Sequence, residues 1–351
     1  MQLTDFSDRA GEWLSGAGPD SDLVISSRIR LARNLEDRPF LSRASTREYQ
    51  EVQNEVRHGI DSALKDHQVS FLDLKGLHNI DRCVLYERHL ISRDHAFAKG
   101  DRGVAFNESE NVAIMVNEED HLRMQVLRSG FQLRETWEVM NELDNALEQE
   151  LLFAFDPRYG YLTVCPTNVG TGLRASVMLH LPALVMTQQI EKVFQAVSKI
   201  NLAVRGLYGE GTQALGDFYQ ISNQTTLGKS ELEIIENISS VIPQIIDYER
   251  TVRDKLLETK REVLEDKIWR AFGTLSSARI ISSKETMEAL SLVRMGINLG
   301  VVDKLSPQMV NELFILSQPG HLQKMEGVEL ESMERDIARA RFIRTYLSGA
   351  G

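Results

Sequence analysis

The sequence predicts an α+β domain followed by a helical domain, and two patterns carry this prediction. From about Ser21 to Leu227, short strand-like runs alternate with turns rich in Gly, Asn or Asp. After Gly228 the apolar residues keep helical spacing almost continuously. The length of 351 residues also suits two domains of roughly 100 to 200 residues each. We place the domains at 1–250 and 251–351, with the boundary somewhere within 247–260.

The individual elements of the first domain follow from local periodicity. Strand-like runs lie at 23–26, 112–116, 161–165 and 201–204. A helix is predicted for 135–153, because apolar residues recur there at spacings of three and four. They are Trp137, Met140, Leu143, Leu147 and Leu151.

The second domain is predicted to be a bundle of helices. An apolar stripe runs from Leu232 to Ile246, and Pro243 within it is expected to kink or interrupt the helix. Ser282 and Glu285 have the spacing of a capping box. Ser306-Pro307 forms a cap and first turn, and that helix should stop near 318–320.

Charge and cysteine content exclude several classes of protein. A net charge of −11 argues against broad nucleic-acid or anionic-membrane binding, since both need a basic surface, but it allows a cationic substrate. The N-terminus lacks an apolar signal region and no window approaches 18 apolar residues, which predicts a cytoplasmic protein. Cys83 and Cys165 are 82 positions apart and form no CxxC pair, so we expect reduced thiols and neither a disulfide framework nor a structural zinc site.

Five arginines near the ends of strand-like runs form the main candidate for chemistry. Gly228-Lys229-Ser230 resembles the end of a P-loop, but Asn223 stands where that motif needs Gly. Planar guanidinium groups, by contrast, bind phosphate oxygens in pairs and stay charged at any working pH. Surface salt bridges are the alternative interpretation of each arginine alone. The five are Arg28, Arg30, Arg123, Arg174 and Arg205.

Two segments give the sequence a recognisable relationship. Residues 165–176 read Cys-Pro-Thr-Asn-Val-Gly-Thr-Gly-Leu-Arg-Ala-Ser, and residues 117–123 read Asn-Glu-Glu-Asp-His-Leu-Arg. Together they resemble the phosphagen kinases, the ATP:guanidino phosphotransferases. The resemblance covers roughly 21–247. It implies a glutamine-synthetase-like catalytic domain in which an antiparallel sheet is flanked by helices.

Two departures from the free-metabolite kinases favour a large substrate. Only 25 residues precede Ser26, where those kinases carry a helical domain of about a hundred residues, so we expect an open site. A helical region is also added at the C-terminus. Both features are similar to the bacterial protein-arginine kinases of this family. Near the C-terminus, the segment Arg335-Asp336-Ile337-Ala338-Arg339-Ala340 also resembles the RDxxRA phosphoarginine-binding motif of those kinases.

The resemblance implies roles for particular residues. Glu119 and Glu210 would clamp the substrate guanidinium, with Glu119 as general base, and Cys165 would help to orient the cation or serve only as a small structural residue. Glu118 and Asp120 would act locally, with Asp120 capping a following helix. Magnesium would be held mainly by ATP and water. Nucleotide binding falls to Ser26, Ser27, Arg28, Ile29, Arg30, His89, Arg123, Arg174, Ala175, Ser176, Val177, Met178, Arg205, Gly206, Leu207, Tyr208, Gly209 and Glu210. The arginines would bind the phosphates, and the main chain near 175–178 and 206–209 would complete the pocket.

The C-terminal motif has two interpretations. Arg335 and Arg339 lie four residues apart on a predicted helix and could grip a phosphoryl group, with Asp336 on the guanidino end of phosphoarginine. An ordinary solvated helix face is the alternative.

The function implied is an ATP-dependent kinase of protein arginine side chains. The resemblance further implies marking of proteins for an unfoldase-protease machine, control of a heat-shock repressor, a small zinc-binding activator protein and a homodimer. A kinase of free arginine or another small guanidine is one alternative, and a phosphoarginine-binding adaptor or pseudokinase is the other.

Overall fold

A computed structural model describes residues 11–206 and 214–349, apart from the side chain of Asp66. Leu207, Tyr208, Gly209 and Glu210 were predicted to be functional and lie outside the described residues. Among the described residues, no helix is both long and apolar enough to cross a bilayer.

An antiparallel sheet of eight strands organises the first part of the chain. Its order is β2-β3-β4-β5-β1-β8-β10-β9, and β6 and β7 form a separate hairpin. The strands are β1 (Val24–Arg33), β2 (Ser70–Asp73), β3 (Gly103–Phe106), β4 (Val112–Val116), β5 (Leu122–Ser129), β6 (Phe155–Asp156), β7 (Gly160–Tyr161), β8 (Leu173–His180), β9 (Leu202–Gly206) and β10 (Phe218–Asn223).

Eleven helices among the described residues surround this sheet. They are α1 (Thr46–Ala63), α2 (Asn79–Glu87), α3 (Arg93–Phe97), α4 (Leu133–Glu148), α5 (Pro182–Met186), α6 (Ile190–Lys199), α7 (Glu231–Ser277), α8 (Ser283–Asn298), α9 (Pro307–Leu316), α10 (Pro319–Glu326) and α11 (Ser332–Ser348).

The two faces of the sheet have different partners. Successive side chains of a strand point to opposite faces, and Ile29 and Leu31 of β1 are fully buried on one of them. This face packs against α1, α4 and the first part of α7. One end of the opposite face is covered by α8, α9 and α11. The rest of the opposite face carries the polar residues described below.

Several sequence predictions agree with the structure and others do not. The run 112–116 coincides with β4, and 23–26 and 201–204 fall at β1 and β9. The predicted strand 161–165 is wrong, because only Gly160–Tyr161 pairs there and a short 3-10 helix begins at Pro166. Ser282 and Ser306 cap α8 and α9 as expected. Helix α7 continues through Pro243 and across the predicted boundary, and its non-helical residue is Lys260.

Candidate active site

Strand register gathers the predicted arginines on one face of the sheet. Arg30 of β1 lies opposite Arg174 of β8 and Gln125 of β5. Arg28, two residues earlier, shares its face because side chains alternate along a strand. Arg123 is opposite Ala32, and Arg205 of β9 is opposite Gln220 of β10. Three neighbouring strands, β5, β1 and β8, and β9 at the edge therefore contribute arginines to one basic surface.

These side chains line a cleft of about 250 Å³. The structure brings together Glu119 and Cys165 with arginines from four strands in that cleft. Leu31, Ala32 and Gly172 form part of its wall, and Thr167 and Asn168 add polar groups. The complete set of predicted residues that line it is Arg30, Glu119, Arg123, Cys165, Arg174 and Arg205.

Positive charge exceeds negative charge in this cluster, in which Arg123 pairs with Glu118. Burial, followed by repulsion from Arg123 and Arg174, lowers the pKa of Arg28 to about 10. Burial, Arg205 and Arg123 likewise lower the pKa of Arg174 to about 10. The buried Nε atoms of Arg30 and Arg174 have no hydrogen-bond partner among the described residues. Because buried cations and donors need a counter-charge and acceptors, this cluster is suited to a polyanion.

Four residues predicted to bind nucleotide have side chains on the face of the sheet that packs against α1, α4 and α7, opposite the cleft. Ile29, Ala175 and Val177 lie in the hydrophobic core. The Ser27 hydroxyl donates to the carbonyl of Gly130 at 2.9 Å and is fully buried. Alternation along β1 and β8 turns these four side chains away from the cleft, and a contribution of the main chain near Ala175 and Val177 to the nucleotide pocket stays a prediction.

The other predicted residues of β1 and β8 occupy the cleft face. Arg28 donates to the Gln220 side chain. Ser176 lies opposite Arg28 and is buried, with its hydroxyl 3.5 Å from the Arg28 carbonyl. Ser26 and Met178 lie opposite each other toward the end covered by the C-terminal helices, where Met178 joins the apolar cluster.

His89 lies at the end of the arginine cluster. Its backbone is left-handed, with φ at 60°, and its ring meets Trp13 edge to face at 5.3 Å between centroids. Gln125 donates to its carbonyl oxygen. Burial and then Arg28 lower the pKa of His89 to about 3, so its ring is neutral at physiological pH.

Glu119 lies on the hairpin loop between β4 and β5. Partial burial and the negative charges of Asp120 and Glu118 raise its pKa. A raised pKa brings a carboxylate closer to the range useful for accepting a proton near neutrality. Its neighbour Glu118 has a different environment. Although burial opposes its ionisation, Arg123 at 2.7 Å and the Ser92 hydroxyl at 2.6 Å lower the pKa of Glu118 to about 2.

Asp120 joins two loops of the cleft. The prediction that it caps a helix is wrong, because strand β5 follows it. Its carboxylate accepts from Asn34 Nδ2 at 2.6 Å and from the Val164 main-chain N–H at 2.8 Å. The Glu119 loop is thereby fixed to the segment that carries Cys165.

Asn34 completes this junction, and the sequence reasoning missed it. Its amide also donates to the Leu162 carbonyl at 3.0 Å, and its oxygen accepts from the His121 N–H at 3.0 Å. Asn34 directly follows the β1 arginines in sequence. An asparagine side chain can both donate and accept hydrogen bonds. This capacity, next to the β1 arginines, is the sequence signal that could have identified Asn34.

Cys165 is half-buried at the cleft wall. It precedes the short 3-10 helix Pro166–Asn168. Its Sγ lies 3.0 Å from the Thr167 hydroxyl. The thiol therefore faces polar surroundings at the mouth of the cleft.

The C-terminal motif is only partly accessible. Arg339 is 1% exposed, and it donates to the carbonyls of Ser317 and Ile281 at 2.9 Å each and pairs with Asp336 at 2.5 Å. These acceptors enclose the Arg339 guanidinium, and its part in holding a phosphoryl group stays a prediction. Arg335 and Asp336 are half-exposed, so these two remain able to contact a ligand.

Family comparisons agree with this geometry. Residues 51–252 match the sequence model described as the ATP:guanido phosphotransferase C-terminal catalytic domain. The chain belongs to the ATP:guanido phosphotransferase family. Residues 261–350 match the protein-arginine kinase McsB C-terminal domain, which places the chain with the protein-arginine kinases of that family. The resemblance predicted from the motifs is confirmed.

Individual relatives give the same result. The chain is 48% identical over 351 residues to the protein-arginine kinase of Halothermothrix orenii, covering 99% of this chain and 100% of the relative. It is 45% identical to that of Bacillus subtilis over 350 residues, covering 99% and 96%.

Solved structures of the family share the fold. A duplicated taurocyamine kinase from Schistosoma mansoni, solved with bound transition-state analogue components, matches with a TM-score of 0.61 at 26% identity over 72% of this chain and 35% of that chain. A lombricine kinase matches with a TM-score of 0.58 at 25% identity, covering 72% of each chain. The predicted phosphagen-kinase fold is therefore confirmed.

Proposed function

We propose that this protein transfers the γ-phosphoryl group of ATP to arginine side chains of proteins. The observation that supports it most is one cleft that contains Glu119, a carboxylate of raised pKa, and buried arginine Nε donors for which the described part of the chain offers no acceptor. The curated relatives that cover nearly the full chain are named protein-arginine kinases.

The substrate explains why a carboxylate is needed. A guanidinium has a pKa of about 12.5 to 13.8, so its neutral, nucleophilic form is on the order of one part in a million at pH 7. Forming it unaided would cost roughly 8 kcal/mol. A carboxylate that orients the cation and accepts its proton during attack offsets this cost. We assign that role to Glu119.

A guanidino nitrogen forms a bond to the γ-phosphorus while the bond from that phosphorus to the bridging oxygen breaks, and ADP leaves with the electron pair. The nitrogen's proton passes to the Glu119 carboxylate. Phosphoryl transfer otherwise depends on positioning and on charge stabilisation. Arg28, Arg30, Arg123 and Arg174 supply both.

The remaining assignments are proposals of the same kind. Mg²⁺ would be held mainly by the phosphates and water, where it neutralises charge on the transferred group, as is usual for nucleotide enzymes. Glu210 would be the second carboxylate on the guanidinium, with Cys165 beside it. Arg335 and Asp336 would hold phosphoarginine at a separate site. The homodimer, the activator, the repressor and the protease machine stay predictions from the resemblance.

Phosphate chemistry tests the proposal directly. The protein is incubated with labelled ATP and either casein or free arginine, and the phosphorylated residues are mapped by mass spectrometry. Phosphoarginine contains a P–N bond that acid cleaves, so acid-labile label on casein arginines is expected. Label that survives hot acid would indicate an ester on a hydroxyl group. Faster labelling of free arginine would assign the protein to small guanidines, and no labelling would favour an adaptor.

A matched pair of variants separates chemistry from folding. Glu119→Gln should reduce the rate by about 10² to 10⁴, because the amide cannot accept the proton. Glu150→Gln changes an exposed carboxylate of the same type at the end of α4 and should leave the rate unchanged. An unchanged rate in Glu119→Gln would remove this residue from the mechanism.

A further inference from the structure

A buried carboxylate joins the C-terminal helices to the candidate nucleotide site. Glu87, the last residue of α2, accepts from the main-chain N–H of Gly320 at 2.6 Å and of His321 at 3.0 Å. His321 Nδ1 donates to the same carboxylate at 2.7 Å. Both N–H groups lie in the first turn of α10, where free donors and the helix dipole favour an anion. Glu87 is 6% exposed and His321 is 1% exposed, so water does not replace these bonds.

Gly320 makes this close contact possible. A Cβ at this position would lie 2.8 Å from Cys83 Cβ and 2.8 Å from Glu87 Oε2. Both distances are shorter than van der Waals contact allows. Any side chain at 320 would therefore push α10 away from α2.

The residues after Glu87 carry the contact toward the cleft. Arg88 donates through Nε to both oxygens of Glu110, at 3.0 and 2.9 Å. Its Nη1 lies 3.4 Å from His321 Nε2. His89 follows in the left-handed conformation, between the Trp13 ring and the arginine cluster. Helix α2 ends at Glu87, so only Arg88 separates the residue that contacts α10 from His89, whose side chain is next to Arg28.

We infer that Glu87, held by the first turn of α10, is a positioning residue for ATP. It fixes the helix end from which His89 faces the phosphate-binding arginines, without touching the nucleotide itself. The inference rests on the proposed function, in which ATP binds the arginine cluster that includes Arg28, the arginine next to His89. The C-terminal region would then support the nucleotide site through the contact between α10 and Glu87, without itself supplying a residue that binds the nucleotide.

Two variants break the contact from opposite sides. Glu87→Ala removes the carboxylate, and Gly320→Ala displaces the helix that holds it. Both should raise KM for ATP about tenfold, within the 5- to 150-fold range typical of coupling between sites. The kcat at saturating ATP should stay within about twofold. Glu87→Gln keeps one acceptor oxygen and should give an intermediate KM.

A control comes from the same helix pair. Lys324 of α10 pairs with Asp81 of α2 at 2.7 Å, so Asp81→Ala combined with Lys324→Ala weakens the interface without acting on the helix end next to His89. Its KM for ATP should equal that of the unsubstituted protein. Folding of every variant is checked by circular dichroism and thermal unfolding.

A binding measurement gives a readout that does not depend on turnover. Trp13 contacts His89, so its fluorescence in a Trp137→Phe, Trp269→Phe background should report a bound non-hydrolysable ATP analogue. Glu87→Ala and Gly320→Ala should bind the analogue about tenfold more weakly. Unchanged affinity in both folded variants would overturn the inference, as would an equal loss in the Asp81, Lys324 control. If the unsubstituted chain binds no analogue, the proposed function fails together with it.

Discussion

At the scale of single residues, the acidic loop shows how three consecutive carboxylates acquire different properties. Arg123 pairs with Glu118 and keeps it ionised, and Asp120 accepts hydrogen bonds from Asn34 and Val164. Glu119 makes no such pair among the described residues, and its neighbours raise its pKa. The sequence identified Glu119 through the family motif, but it could not indicate these partners, because Ser92, Asn34 and Val164 are distant in the chain.

The raised pKa predicts a pH dependence. Proton acceptance needs the ionised form, so kcat/KM should fall as pH decreases through the pKa of Glu119, and that limb should lie above the ordinary value for glutamate of about 4.3. Asp120→Asn removes a negative neighbour and should move the limb to lower pH. The rate profile of both proteins between pH 4 and 8 provides the measurement. A limb that does not move would show that Asp120 has no effect on the base.

The arginine cluster should destabilise the protein when no ligand is bound. Burial and mutual repulsion lower the pKa of Arg174, so the charged side chain costs free energy at neutral pH. Arg174→Met should therefore raise the free energy of unfolding by about 1 to 3 kcal/mol while weakening ATP binding. Urea unfolding, with and without ATP analogue, checks both effects. Lower stability without ligand would mean that the chain itself compensates this charge.

At the scale of elements, strand register explains how residues far apart in sequence converge. The sequence predicted β4 and the general position of β1 and β9 from short strand-like runs between turns, and it placed the arginines near strand ends. It predicted a strand at 161–165, because those residues form a strand-like run between turns. The segment instead forms hydrogen bonds with the side chains of Asn34 and Asp120. These are tertiary contacts, which local periodicity cannot predict.

The Asn34 junction should affect both stability and turnover. Asn34→Ala removes donors to Asp120 and Leu162 and the acceptor of His121. Leaving those buried groups unpaired should cost about 1 to 3 kcal/mol of unfolding free energy. The kcat should also decrease, because the Glu119 and Cys165 loops lose their common anchor. Asn54→Ala, on the exposed side of α1, is the control. Full activity in Asn34→Ala would show that the loops hold their positions independently.

The C-terminal motif separates a ligand contact from a structural one. Arg335 is half-exposed and donates to the Leu330 carbonyl at 2.8 Å, whereas Asp336 neutralises the buried Arg339. Arg335→Ala should reduce binding of a phosphoarginine peptide at a cost of about 0.5 to 1.5 kcal/mol in stability. Asp336→Ala should cost about 3 kcal/mol or more, because it leaves Arg339 uncompensated. Calorimetric binding and urea unfolding distinguish the two, and equal stability losses would contradict these roles.

At the scale of the whole molecule, the helical region and the sheet share a core. Ile25, Leu127, Met178 and Phe218 from the sheet region pack with α8, α9 and α11. A separate helical domain was expected from the change in periodicity at Gly228, and the described chain after that residue does form only helices, α7 to α11. Periodicity describes each helix alone, however, and does not indicate which surface the helix covers. The boundary at 250/251 stays a prediction.

Arg294 connects these two regions and predicts cooperative unfolding. It is fully buried in α8 and donates to the carbonyls of Ser21 at 2.7 Å and Asp22 at 2.8 Å, and to Asn311 Oδ1 at 3.0 Å. Because these neutral acceptors would lose their donor, Arg294→Met should cost about 1 to 3 kcal/mol. Arg270→Met, at an exposed pair with Asp266, should change stability by less than about 1 kcal/mol.

The tryptophans show whether the loss is global. Trp13 lies in the shared core, Trp137 packs against the core formed by the sheet and its helices, and Trp269 lies on the last part of α7. Single-tryptophan proteins should unfold in urea with coincident midpoints, because one core joins the regions. Arg294→Met should lower all three midpoints together. A separate, unshifted transition at Trp269 would show instead that the helical region folds on its own.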